Sequence, residues 1–110
     1  MDIEVNEYVR TKNGVIDKVD ALYGMIENTV HLENKKWFDI KNILKHSKQL
    51  IDLIEVGDYV NGHLVEEVRI SCFSSSIFVH EYEIELHEND IKTILTKEQM
   101  KANCYKVGGK

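Results

Sequence analysis

The chain has 110 residues, 43% hydrophobic and 30% charged, with a formal net charge of −5. That balance describes a globular protein and excludes a disordered or fibrous one. No apolar run approaches the roughly 18–20 residues that cross a bilayer, and the acidic start "MDIEVNEYV" lacks the basic region and apolar stretch of a secretory signal. The expectation is therefore no membrane and a cytoplasmic location.

The first predicted element is a hairpin. In "EYVRTKNGVIDKV" two alternating runs flank Asn13-Gly14, and Asn-Gly is the strongest short-range hairpin signal because both central turn positions need positive φ. "MIENTVHL" (25–32) and "KWFDI" (36–40) supply further strand-like runs. "KNILKHSKQLIDLI" (41–54) has apolar residues at mixed spacing, which predicts a helical turn or two leading onward. A second Asn-Gly follows at 61–62, then the strand-like "VRISCF", the loop Ser74-Ser75-Ser76 and the long run "IFVHEYEIEL". "TKEQMKA" (96–102) predicts a short helix, with Thr96 as N-cap and Gln99 at the capping-box position.

The same words occur twice. "VNEYV" at 5–9 returns as "VGDYV" at 56–60, and "DIKNILK" at 39–45 returns as "DIKTILT" at 90–96, both 51 positions on. Between these anchors the spacing slips by about three residues at the Asn-Gly pairs and is expected to recover by Asp39 and Asp90. Five short strands in roughly 50 residues predict a mainly β chain of two tandem small SH3-like barrels with short helical turns, repeat 1 over 1–50 and repeat 2 over 51–110. Units this small bury little apolar area alone. A shared interface is expected, with Tyr8, Trp37, Tyr59, Tyr82 and Tyr105 as candidate packing residues.

"VRTKNGVIDKV" (9–19), "LKHSKQLIDLIEVGDYVNGHLVEEV" (44–68) and "IKTILTKEQ" (91–99) together resemble a group of small uncharacterised proteins from clostridial phages and related mobile elements, in which GDYV-type SH3-like units repeat. The resemblance spans most of the chain. It implies a phage or mobile-element setting and carries no catalytic residues over. Position 57 keeps the Gly of the "GDYV" element where the first copy has Asn6, and Asn also tolerates left-handed geometry.

Charge is unevenly placed. Residues 1–50 hold 8 acids and 8 bases, whereas 55–90 hold 9 acids against Arg69 alone. Such a surface repels phosphate, which argues against direct nucleic-acid binding by the second half; Lys35, Lys36, Lys41, Lys45 and Lys48 leave the first half less hostile to it. Read as one strand, "IFVHEYEIELHE" puts Phe78, His80, Tyr82, Ile84 and Leu86 on one face and Val79, Glu81, Glu83, Glu85 and His87 on the other. Three glutamates spaced roughly 6.6 Å apart would form a carboxylate ladder. A solvated outer face explains such a ladder without any function; a docking face for a cationic partner is the functional alternative.

Signatures of chemistry are missing. The five histidines show neither HxH nor HxxxH spacing, Cys72 and Cys104 form no C-x-x-C pair, no G-x-S-x-G elbow surrounds a serine, and no glycine-rich phosphate loop precedes a helix. The expectation is no enzyme, no catalytic residues, no cofactor and no metal. The candidate partner-binding residues are Glu66, Glu67, Glu81, Glu83, Glu85 and Glu88, with Tyr8 and Tyr59 as a second candidate surface. The leading functional expectation is a phage or mobile-element binding protein, an anti-defence (anti-CRISPR-like) inhibitor whose acidic face occupies the basic nucleic-acid-binding surface of a host protein. The alternatives are an SH3-like adaptor or phage assembly module that uses the tyrosines, and a nucleic-acid-associated module that uses the Lys-bearing first half.

Overall fold

In the computed structural model, residues 3–23, 29–71 and 74–102 are described, with the side chain of Tyr23 excepted. The first sheet is built from β1 (Tyr8–Thr11), β2 (Ile16–Tyr23), β3 (Thr29–Leu32), β4 (Trp37–Asp39) and β5 (Ile43–Ser47), in spatial order β4-β3-β2-β1-β5. The second is built from β6 (Tyr59–Val60), β7 (His63–Arg69), β8 (Ser76–Val79), β9 (Ile84–Leu86) and β10 (Ile94–Leu95), in order β10-β6-β7-β8-β9. The two orders are the same: a four-strand meander whose fifth strand returns to pair with the first. All the pairings are antiparallel, so the chain is mainly β and consists of two tandem SH3-like units. Among the described residues its only α-helix is α1 (Lys97–Ala102); 3-10 turns at Ile40–Asn42, Leu50–Leu53 and Glu88–Asp90 supply the short helical punctuation.

Each unit has its own apolar core, and the cores correspond position by position. Val9, Val19, Val30, Leu32 and Ile43 fill the first; Ile51, Ile54, Val60, Val65, Ile77 and Val79 fill the second. Val9 matches Val60, Val19 matches Val65, Val30 matches Ile77 and Leu32 matches Val79, as the strand registers require. Both second strands carry a bulge at the same place, after Val19 in β2 and after Val65 in β7. The extra residue is an acid each time, Asp20 or Glu66, and the bulge increases local twist and bends the sheet.

The turn that opens each unit is duplicated bond for bond. Glu7 N donates to Glu4 O and Asp58 N to Glu55 O; Asn6 N donates to Val19 O and Gly57 N to Val65 O; Val19 N donates to Glu7 O and Val65 N to Asp58 O. Asn6 at φ 76° and Gly57 at φ 99° occupy the same left-handed position, which both residue types tolerate.

The closing elements do not follow the 51-residue spacing. Ser47 faces Tyr8 and Leu95 faces Tyr59, so β5 and β10 correspond at 48. Asp39 is the N-cap of its 3-10 turn, and the matching N-cap in the second unit is His87; Ile43 and Ile91 are the C-caps. The "DIKNILK"/"DIKTILT" match therefore aligns residues that are not structurally equivalent, and the spacing never returns to 51. The first hairpin is the cause. Val60 pairs directly with His63 across the two-residue turn Asn61-Gly62, at φ 54° and 83°, the type I′ geometry that Asn-Gly favours. Val9 pairs with Asp17 across a longer loop in which only Gly14, at φ 89°, is left-handed. Gly14 N donates to Thr11 O and Thr11 N to Val15 O, a turn followed by a glycine bulge.

Two further expectations change. "IFVHEYEIEL" is two strands, broken at His80, Glu81 and Tyr82, all three left-handed at φ 55°, 55° and 67°. The reversal lets Ile84, Glu85 and Leu86 pair with Val79, Phe78 and Ile77, whereas a straight strand would carry Ile84 and Leu86 past the sheet and out of the core. "KNILKHSKQLIDLI" yields 3-10 turns, but β5 runs through its middle. In "VRISCF", β7 ends at Arg69 and Ile70 is exposed, while Cys72 and Phe73 lie outside the described residues. Cys104 and Tyr105 lie outside them too. The short helix forms as expected: Gln99 N donates to Thr96 Oγ1 and Thr96 N to Gln99 Oε1, a complete capping box.

Candidate functional site

The junction between the two units is ionic. Of the aromatics expected to pack there, Trp37 and Tyr82 are 51% and 58% exposed, Tyr8 and Tyr59 are half-buried, and Tyr105 lies outside the described residues. The fully buried Arg10 on β1 reaches into the second unit instead. Its Nη1 donates to Asp58 Oδ2 at 2.5 Å and to Leu53 O at 3.0 Å; its Nη2 donates to Asp58 Oδ1 at 2.9 Å and to both carboxylate oxygens of Glu98. Nε makes no hydrogen bond among the described residues but lies 3.8 Å from Glu55 Oε2. A planar guanidinium suits such a site because its donors match a carboxylate two at a time.

Asp58 is satisfied from three directions. Besides Arg10, it accepts from Glu55 N at 2.8 Å and Lys97 N at 2.9 Å. Glu55 in turn lies 2.7 Å from Lys97 Nζ and 3.0 Å from Lys45 Nζ. Burial disfavours the Glu55 anion, but the bonds from Lys97 and Lys45 and the field of Arg10 outweigh it and bring its pKa down to about 2. Burial likewise opposes the Arg10 cation and is overcome by Asp58 and Glu98, so its pKa is raised; that of Lys97 is raised chiefly by its bond to Glu55. Beside this cluster Thr96 Oγ1 donates to Gly14 O at 2.8 Å. A Cβ on Gly14 would collide with Thr96 Oγ1 and approach Glu98 Cβ to 2.8 Å.

The structure sorts the acids of the second half into two sets. Glu55, Asp58, Glu88 and Glu98 are engaged internally. Glu88 receives Ile51 N at 2.7 Å and Leu50 N at 3.1 Å, capping the turn that begins the second unit's core. Glu81, Glu83 and Glu85 are exposed, on the β8–β9 turn and on edge strand β9. Imidazoles lie beside two of them: His80 Nε2 is 3.4 Å from Glu83 and His87 Nε2 3.9 Å from Glu85. The straight ladder is absent, since Glu81 sits in the turn and Val79, placed beside it in a one-strand reading, is buried in the core.

Glu67 and Glu85 flank Phe78 across β7, β8 and β9, and directly opposed residues share a sheet face. Arg69 pairs with Glu67 and lies over the Phe78 ring at 4.7 Å, with the Tyr82 ring 6.4 Å from Phe78. Glu66 is half-buried at the β7 bulge, and its Oε2 has no hydrogen-bond partner among the described residues. Thus Glu67, Glu81, Glu83 and Glu85 lie on the β7–β9 part of the second sheet and its turn, with Glu66 half-buried at the bulge and Glu88 bonded to the backbone of Leu50 and Ile51.

Tyr8 takes part in a different feature. With Ile16, Asp17, Leu50, Ile94 and Gln99 it lines a cleft between the two units, and Lys18 Nζ lies 5.6 Å from its ring centre. Tyr59, its repeat counterpart, is not part of that lining. Of the lysines expected to make the first half basic, Lys45 is engaged by Glu55, while Lys41 and Lys48 stay exposed beside Asp39 and Glu4. Arg10 was missed in the sequence because its partners are 48 and 88 positions away. Alternation along β1 places Arg10 on the strand face opposite the core residue Val9, where a charge is ordinary in the sequence.

Among the described residues no helix is long and apolar enough to cross a membrane, and no group of three or more His, Cys, Asp or Glu converges to hold a metal ion. Comparison of the chain with family models, with curated proteins and with solved structures yields no match.

Proposed function

We propose that the chain is a binding protein whose β8–β9 hairpin docks onto a cationic surface of a partner protein. The observation that carries this reading is the outward placement of Glu81, Glu83 and Glu85 on one hairpin, with imidazoles as the only ion-pair partners of two of them among the described residues. Three carboxylates within five residues of one hairpin give it a negative field, and a basic partner relieves their mutual repulsion while steering encounter. The pairing of β9 to β8 supports the reading, because a hairpin held on a sheet edge loses little conformational freedom on binding.

The partner class follows from charge. A surface basic enough to attract this hairpin is one that also attracts phosphate, so docking would exclude nucleic acid from it. The resemblance of residues 9–19, 44–68 and 91–99 to phage and mobile-element proteins supplies the setting, an anti-defence inhibitor of a host nucleic-acid-binding effector. The test is a pull-down from host lysate at low and high salt, repeated with the triple variant Glu81→Lys, Glu83→Lys, Glu85→Lys. A salt-sensitive basic partner that nucleic acid displaces, and that the triple variant no longer captures, is the expected result. Capture that survives the triple reversal ends this reading.

A second reading rests on the cleft that Tyr8 lines with Ile16, Leu50 and Ile94. Clefts at unit junctions are common ligand sites, and an adaptor that seats a peptide there would keep binding after charge reversal and lose it in Tyr8→Ala.

A further inference from the structure

The geometry points to a divalent transition-metal site at His63 and His80, independent of the docking reading. The two histidines are 17 positions apart in sequence, one beginning β7 and one opening the β8–β9 turn, yet their ring centres lie 5.5 Å apart at an interplanar angle of 71°. With metal–nitrogen bonds of about 2.0–2.1 Å, two imidazoles that share one ion place their ring centres roughly 5–6 Å apart.

The donor atoms are available. No described residue hydrogen-bonds either ring nitrogen of His63, and the one described polar contact of His80 is Nε2 to Glu83 at 3.4 Å. Glu83 is placed where it can accept a hydrogen bond from His80 Nε2 when an ion occupies the other ring nitrogen, the usual outer support of a metal-bound histidine. His63 is half-buried and His80 exposed, so the pair faces solvent and an ion can reach it.

The backbone provides the second line of argument. His80, Glu81 and Tyr82 are three consecutive non-glycine residues in the left-handed region, where each is disfavoured by about 1–2 kcal/mol. Reversing the chain does not demand this. The equivalent β3–β4 turn of the first unit makes the same reversal with one described left-handed residue, Lys35 at φ 71°. The strained version turns His80 toward His63, and strain that the topology does not require is characteristic of ligand sites.

The chemistry of the donors selects the ion. Two imidazoles suit Zn2+, Ni2+ or Cu2+ and reject Mg2+ and Ca2+, which take oxygen ligands. With two protein donors the remaining positions fall to water, so binding is modest in affinity.

Ni2+ is the probe, titrated calorimetrically into the full chain at pH 7.5 with Mg2+ as the control. One site per chain is expected, with affinity falling at least about tenfold in His63→Ala and in His80→Ala and unchanged in His87→Ala. In the unaltered chain, sub-stoichiometric Ni2+ should broaden the imidazole signals of His63 and His80 before those of His31, His46 and His87, a readout that does not depend on the folding of any variant. Absence of Ni2+ binding, binding unaffected by both substitutions, or broadening that begins at the other histidines overturns the assignment. None of these outcomes bears on capture of a cationic protein, which the triple glutamate reversal tests.

Discussion

Arg10 of the first unit and Asp58 of the second form a two-bond pair, at 2.5 and 2.9 Å, with neither side chain exposed to solvent. The contact is head-to-tail: a strand of one unit inserts into the opening turn of the next. In that next unit the place of Arg10 is taken by Asn61, two positions after Tyr59 as Arg10 is after Tyr8. Asn61 bonds within its own unit, to Asp90 O, Lys92 N and Thr93 N. The matching carboxylate of the first unit, Glu7, is met by His46 at 3.0 Å. Among the described residues the Arg–Asp pair therefore occurs once, at the junction.

Removing one member of this pair strands the other. Arg10→Met is expected to lower unfolding free energy by about 3–5 kcal/mol, because Asp58 would remain buried without its cation. Urea denaturation checks it. Arg10→Met combined with Asp58→Asn should recover part of the loss, and equal destabilisation in the single and double variants would contradict the pairing argument.

Glu55 makes the fold acid-sensitive. Its folded pKa of about 2 lies below its ordinary value of 4.5, so its contribution is fully present above pH 4.5 and is lost as pH falls from there toward 2. The linked free energy is at most about 3 kcal/mol. Stability measured against pH should show a smaller acid loss in Glu55→Gln than in the unaltered chain, together with lower stability at pH 7.

Two glycines with similar φ should respond differently to alanine. At Gly62, with φ 83° and no atom within 4 Å of a built Cβ, only the backbone is disfavoured, at about 1 kcal/mol. At Gly14 the backbone term is joined by collision with Thr96 and Glu98 across the unit junction, and a loss of at least about 2 kcal/mol is expected. Thermal melts of Gly14→Ala and Gly62→Ala rank them; equal losses would show that the junction yields easily.

The acids divide the same way. Glu88→Gln weakens the cap on Leu50 and Ile51 and should destabilise by about 1 kcal/mol. The triple reversal of Glu81, Glu83 and Glu85 touches exposed groups and should change stability by about 0.5 kcal/mol or less per site. Denaturation midpoints of both proteins provide the check, and they also show whether any loss of binding in the triple variant comes from the surface itself.

The sequence by itself determined that the chain is mainly β, that it holds two copies of one unit, and where the opening turns and the capped helix fall. Those features are local: Asn-Gly needs positive φ, Thr96 and Gln99 satisfy each other's backbone, and "VNEYV" and "VGDYV" build the same turn from the same bonds. Tertiary structure alone decided the rest. "DIKTILT" carried the look of the repeat at a spacing of 51, but pairing to β6 sets the register at 48. "IFVHEYEIEL" alternates like one strand, yet burying Ile84 and Leu86 against the core requires a reversal that no glycine announces. Arg10, Asp58 and Glu98 meet, as His63 and His80 do, only because folding brings distant stretches together, and periodicity within a segment holds no information about contacts between segments.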